Sequence, residues 1–306
     1  MKRILSLVIT LLMLLSMAAC GGEPDVELKK PTDVYVEGSA ETKPDEMKPV
    51  ETTLPAKVEP TVAETVLVDE AGVKITAKSF EMDDIFGPAL KILIENNSDV
   101  DLTVQARNSS VNGYMVENML SADVSSGKKA NDEIVFMASD LEACGIETVA
   151  DMEFSFHIFT TEDWEAYLDT DQIQIMTAAA ETYEYTYDDS GDIAYEGNGV
   201  KIVVKGLSEA DSIFGPSIVV YIENNGDQAF TVQARDVSVN GFMVDALFST
   251  DVMPGKRAVD TITFLSEELE ENDITAIEAV ELSFTVFDFV GWDTIVDTDT
   301  VTISFE

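Results

Sequence analysis

IFGPSIVVYIENNGDQAFTVQARDVSVNGFMV, residues 213–244, repeats IFGPALKILIENNSDVDLTVQARNSSVNGYMV, residues 85–116, in register and without a gap. The correspondence runs from Ile85 against Ile213 to Met176 against Ser304, with 41 identities in 92 positions. The chain is a tandem repeat whose loops are equally long in both copies. In the second copy, apolar and polar residues alternate through Phe230, Thr231, Val232, Gln233, Ala234 and Arg235. That period of two predicts a strand with Thr231, Gln233 and Arg235 on the face opposite Val232 and Ala234. Asn240-Gly241 then supplies the paired positive-φ residues of a type I′ hairpin.

Working outward, short strands and turns recur. Ile193 to Glu196 and Val200 to Lys205 flank Gly197-Asn198-Gly199 as a hairpin, and 217–223 is a strand closed by Asn224-Asn225-Gly226-Asp227. Ala258 to Leu265 reads as the next strand. Ser266 to Asp273 reads as one or two helical turns with Ser266 at the N-cap, and Ser139-Asp140-Leu141-Glu142 offers a capping box in the first copy. Strands from Val280 to Phe289 and from Ile295 to Phe305 close the copy. About seven strands in about 105 residues predict an immunoglobulin-like β-sandwich, with a small barrel as the alternative. The fold expected is all-β, with two tandem immunoglobulin-like sandwiches at 64–177 and 192–306. A linker at 178–191 joins them, and its Tyr183, Tyr185 and Tyr187 suggest either a short strand with one aromatic face or a plain connection.

The N-terminus has a different character. Lys2 and Arg3 precede an apolar run from Ile4 to Leu15 and a small-residue cleavage site, the layout of a secretory signal over 1–19. The ending Met17-Ala18-Ala19-Cys20-Gly21-Gly22 resembles a bacterial lipobox, with Met17 where Leu is usual. The resemblance implies diacylglycerol on Cys20 and stable anchoring to the cell membrane, facing outside, without a spanning helix. From 20 to 63 the chain is rich in Pro, Glu, Lys and Thr, which predicts a disordered tether. With the IENN, TVQAR and SVNG elements and the late Trp, these features resemble surface lipoproteins of Gram-positive, clostridial-type bacteria that carry immunoglobulin-like domains of unknown function.

Composition narrows the functions. Lys and Arg number 18 against 59 Asp and Glu, a net charge of −41, which works against nucleic acid as a partner. The two cysteines, Cys20 and Cys144, leave no disulfide framework once Cys20 is lipidated. Catalysis has little to build on. His157 is the lone histidine and Thr285 takes its place in the second copy, so a His triad or His-ligated zinc lacks partners. Asp293, Asp297 and Asp299, and Glu165, Asp169 and Asp171, group carboxylates as calcium requires; solvated loop acids are the plainer reading, and no other cofactor is expected. Trp164 and Trp292 stand beside those acids. Packing against the core or an edge is the first expectation for them, whereas exposure would mark recognition of a glycan or protein. Gln105 with Arg107 and Gln233 with Arg235 read as cross-strand ion-pair positions, with a ligand clamp as the alternative. The expected protein is therefore a non-enzymatic surface lipoprotein that binds or spaces, or else a calcium-dependent or carbohydrate-binding accessory module.

Overall fold

The computed structural model describes residues 28–36, 58–82, 86–208 and 214–305. The signal peptide, Cys20 and tether positions 20–27 and 37–57 lie outside them. The first described strand already departs from expectation: Asp33–Val36, β1, falls within the stretch expected to be disordered. Its DVYV sequence alternates half-buried Val34 and Val36 with exposed Asp33 and Tyr35, enough to add a strand to an existing edge.

The first module contains β2 (Thr65–Glu70), β3 (Val73–Glu81), β4 (Ala89–Asn96), β5 (Leu102–Val111) and β6 (Tyr114–Met115). It continues with β7 (Asn118–Met119), β8 (Ser121–Val124), β9 (Lys129–Phe136), β10 (Asp151–Thr160), β11 (Ala166–Asp169) and β12 (Ile173–Met176). The second module repeats them as β13 (Asp192–Gly197), β14 (Val200–Ser208), β15 (Ser217–Asn224), β16 (Phe230–Val239), β17 (Phe242–Met243) and β18 (Ala246–Leu247). β19 (Ser249–Val252), β20 (Arg257–Phe264), β21 (Ala279–Asp288), β22 (Thr294–Asp297) and β23 (Val301–Ser304) complete it. The chain is all-β apart from short helices. In module 1 the sheet β2-β3-β4-β9-β7 faces a layer built on β5 and β10; in module 2 a layer through β14, β15 and β20 faces one built on β16 and β21. Each module encloses its own core. Ile75, Leu90, Ile94, Phe136, Phe154 and Phe156 fill the first, and Ile202, Ile218, Ile222, Phe264, Phe284 and Ile303 the second.

Two asparagines in each copy clamp the turns to neighbouring strands. Asn96 is buried; its Nδ2 donates to the carbonyls of Val100 and Val124, both at 2.8 Å, and Asn224 repeats this on Gln228 and Val252. Asn112, at φ 50°, donates to the Thr148 carbonyl and accepts from the Ala150 and Asp151 amides; Asn240 does the same with Ala276, Glu278 and Ala279. The repeated IENN and VNG therefore serve as turns and as clamps, buried at Asn96, Asn112 and Asn224 and half-buried at Asn240.

Local expectations are corrected in two places. The helices α1 (Ala138–Ala143) and α2 (Ser266–Glu271) start at Met137 and Leu265 with no side-chain cap, so Ser266 is already helical and Ser139 forms no capping box. The strand expected from Ile295 to Phe305 is broken between β22 and β23. There the Thr298 hydroxyl accepts the Phe284 amide and replaces a ladder bond.

The modules touch through a built joint. Tyr114 in β6 pairs in parallel with Arg257 in β20, linking the β5–β10 layer to the β15–β20 layer. The Arg257 guanidinium donates to Glu223 at 2.7 Å and lies 3.8 Å from the Tyr187 ring centroid, while Lys256 pairs with Glu153. Tyr187 packs edge-on against Tyr114, and Tyr185 donates to Asp151. The linker tyrosines form no strand; they are the joint's packing. Here α1 meets β20, so Asp140 and Asp260 approach with Glu117 and Asp251 nearby. Burial holds the Asp140 and Asp260 carboxyls above the usual range, and the charge of Asp140 raises Asp260 further.

Arg257→Ala leaves Glu223 half-buried and unpaired, which costs about 1–3 kcal/mol, and splits one calorimetric unfolding transition into two. The joint carboxyls bind protons more readily folded than unfolded, so their contribution to stability grows as pH falls through their raised values. Pairs held low, such as Asp188 with Lys205, weaken only at lower pH. The melting temperature is expected to be higher at about pH 5 than at about pH 8, and Asp260→Asn reduces the difference.

Candidate functional site

The outward faces of the β5–β10 and β16–β21 pairs carry matching side chains in the same order. On the first, Thr103 lies opposite Phe159, Gln105 opposite His157 and Arg107 opposite Ser155. The second sets Thr231 opposite Phe287, Gln233 opposite Thr285 and Arg235 opposite Ser283. Strand alternation places these outward because their neighbours, Val104, Phe156, Val232 and Phe284, are buried in the cores.

Hydrogen bonds pre-organise each face. Thr103 donates to Asp123 at 2.6 Å and Thr231 to Asp251 at 2.5 Å. Gln105 and Gln233 donate to Ser121 and Ser249 at 3.4 and 3.2 Å, and each accepts from the arginine two residues on. The next strand contributes Asp169 to His157 and Asp297 to Thr285. Neither Arg107 nor Arg235 forms an ion pair among the described residues, which corrects the cross-strand reading. Each guanidinium bonds to a neutral glutamine and keeps further N–H donors for solvent or ligand. Arg3, Arg107, Arg235 and Arg257 are the chain's arginines. Two of the four stand on these faces.

The tryptophans crown the same faces, exposed rather than packed. Trp164 is 73% exposed and Trp292 71%. Each stacks on a ring below: Trp164 on Phe159 at 5.4 Å and 15°, Trp292 on Phe287 at 5.2 Å and 17°. The inner indole face is occupied and the outer one is open. Each follows a short hairpin loop and donates its amide back four residues, to the Thr160 or Asp288 carbonyl, both at 3.0 Å. Both sit at positive φ, 62° and 61°, where the loop calls for Gly or Asn and a bulky side chain is strained. Module 1 extends the aromatic strip, with the His157 ring 5.3 Å from Phe159.

The acids expected to hold calcium are not gathered into one site. Asp293 precedes β22 and Asp297 ends it, four residues or about 13 Å of strand away, and Glu165 stands likewise to Asp169. Among the described residues no group of three or more His, Cys, Asp and Glu is placed to hold a metal ion. Asp297 and Asp299 instead line an open basin of about 460 Å³ with Arg235, Ser283 and Thr285. Asp169 and Asp171 line one of about 450 Å³ beside β2. Cys144 is half-buried at the joint, where burial pushes its thiol up to about 12 and leaves no thiolate for nucleophilic attack.

No protein-family model and no curated protein matches the sequence. Among solved structures, the chain is similar to the YadV chaperone at 11% identity, over 69% of this chain and 91% of that one, with a TM-score of 0.23. A Porphyromonas gingivalis W83 protein of unknown function matches at 10% identity over 68% of this chain and 87% of that one, TM-score 0.19. Red sea bream transglutaminase matches at 9% identity over 80% of this chain and 31% of its own, TM-score 0.19. Likenesses this slight carry no argument.

Replacing Trp164 by Gly removes the stack on Phe159 and relieves the left-handed backbone, effects of similar size. The melting temperature is expected to move by less than about 4 °C; a larger fall would mean that the indole is held there for stability.

Proposed function

We propose that the chain is a non-enzymatic, lipid-anchored extracellular protein whose two modules bind a neutral glycan on their Trp-capped sheet faces. The observation that carries this is the repetition, in both copies, of an exposed and strained Trp above a hydrogen-bonded row of Gln, Arg, Thr and Asp. An indole with one face free offers a flat apolar surface for the C–H face of a sugar ring, and the row beneath it offers donors and acceptors for hydroxyls. A protein partner is usually gripped by an aromatic in a desolvated, largely apolar patch. Around Trp164 and Trp292 the sheet faces are polar and open. The strongly negative charge argues against polyanionic polymers, including acidic polysaccharides.

Lipidation of Cys20, a surface location and immunoglobulin-like modules belong to the same proposal, supported by the leader sequence and the sandwich layers. Two equivalent faces on one jointed chain would engage a polymer bivalently, so overall affinity exceeds that of either face. Catalysis finds no support at the faces, because His157 is answered by Thr285 in the second copy and the basins are shallow.

The test is binding of the soluble chain, residues 21–306, to a panel of neutral polysaccharides. Trp164→Ala and Trp292→Ala should each weaken binding about tenfold, the equivalent of 1.4 kcal/mol, and the double substitution should abolish it. Unchanged binding in the double variant, or capture of basic proteins with no glycan bound, would contradict the proposal.

A further inference from the structure

Module 2 incorporates a strand from the opposite side of module 1 in sequence. β1 runs antiparallel along the outer edge of β23, with Asp33 opposite Ser304 and Val36 opposite Val301. The Thr32 amide and hydroxyl both donate to the Ser304 carbonyl, at 2.9 and 3.1 Å. Lys29 and Leu207 exchange both backbone hydrogen bonds at 2.9 Å. The segment thus bridges the open edges of the two layers, and Val34 and Val36 pack against the core.

The slot is specific to this module. A Cβ at Gly206 would sit 3.0 Å from both the Leu28 Cβ and the Lys29 carbonyl oxygen, so only glycine admits the segment without displacement. At the matching bulge of β3, module 1 carries Ser79. The repeat has diverged where the strand enters.

Strand register fixes what lies where along the molecule. β23 pairs with the Ala279 end of β21, whereas the Trp292 loop follows Asp288 at the other end, nine residues or about 30 Å away. The joint is also at that far end: Phe230 lies opposite both Asp288 and Val252, and the Val252 carbonyl is bonded to Asn224, beside the Glu223 that holds Arg257. In module 1, Tyr114 lies opposite Val111, and Val111 opposite Met152 near the start of β10. Trp164 follows the end of β10, roughly 25 Å further.

We infer that the docked N-terminal strand makes module 2 the membrane-proximal module, with Trp292 and then Trp164 at increasing distance from the bilayer. This rests on the anchor proposed at Cys20. Only seven residues separate Cys20 from Leu28, eight steps of chain that reach at most about 29 Å when extended. The anchor therefore holds the Ser304 end of module 2 towards the lipid, and both indoles point away from it.

Trp164→Phe and Trp292→Phe each leave a single tryptophan as donor in the full lipidated chain, reconstituted into phosphatidylcholine vesicles that contain a dansyl-labelled lipid. Energy transfer from Trp292 should exceed that from Trp164. Equal or reversed efficiencies would overturn the order. Docking is read separately by Tyr35→Cys with Thr302→Cys, which are opposite in the ladder on its outer side and should oxidise to an intrachain disulfide. A disulfide-linked dimer would place the strand in a second copy, and no disulfide would mean that it is undocked; both refute the inference. Cys20→Ala releasing the chain from the membrane fraction tests the anchor alone, so the two failures are distinguishable.

Discussion

The asparagine clamps set the register on which the rest depends. Asn96 and Asn224 tie the turn after β4 or β15 to the end of β8 or β19, and Asn112 and Asn240 tie the following hairpin to the approach of β10 or β21. Between these fixed points run β5 and β16, whose side chains alternate with a period of two. A slip of one residue would bury Gln and Arg and expose Val and Ala. Because Asn96, Asn112 and Asn224 are buried and each makes several hydrogen bonds, losing one strands donors and acceptors that cannot be satisfied elsewhere. The polar faces follow from that constraint.

Much of this could be read in the sequence. The repeat, the alternation through TVQAR and the Asn-Gly turns are local signals, and they predicted the sandwich strands and the outward side of Thr231, Gln233 and Arg235. Less visible were features that depend on partners distant in sequence. Asparagine announces a turn locally, but its clamp is made to carbonyls 28 to 36 residues away. Tyr185 and Tyr187 looked like linker residues because the groups they meet, Asp151 and Arg257, lie in different modules. Helix caps were misplaced, by one residue at Ser266 and two at Ser139, because both carry capping chemistry while the chain enters the helix earlier.

The candidate site divides in the same way. Trp164, Trp292 and the two Gln-Arg pairs were singled out from the sequence, yet the acids beside them suggested calcium and the indoles suggested packing. Strand geometry separates the acids, and a left-handed backbone lifts the indoles off the core onto Phe159 and Phe287. The one signal that could have indicated exposure was the short TTEDW and FVGW loops, in which Trp occupies a position that favours Gly. The same strain stands at equivalent places in both copies, and the proposed glycan contact would account for it.

The joint and the docked strand give the proposed contact a geometry. Arg257 and the linker tyrosines fix one module on the other, while β1 closes the second and fixes the direction of the N-terminus. Two tryptophans give two indole N–H resonances, so the central claim can be read directly by titrating an isotope-labelled chain with a neutral oligosaccharide that it binds. The account predicts that both indole signals shift together with the Gln105 and Gln233 side-chain amides. Saturation that leaves both indoles unmoved would contradict it.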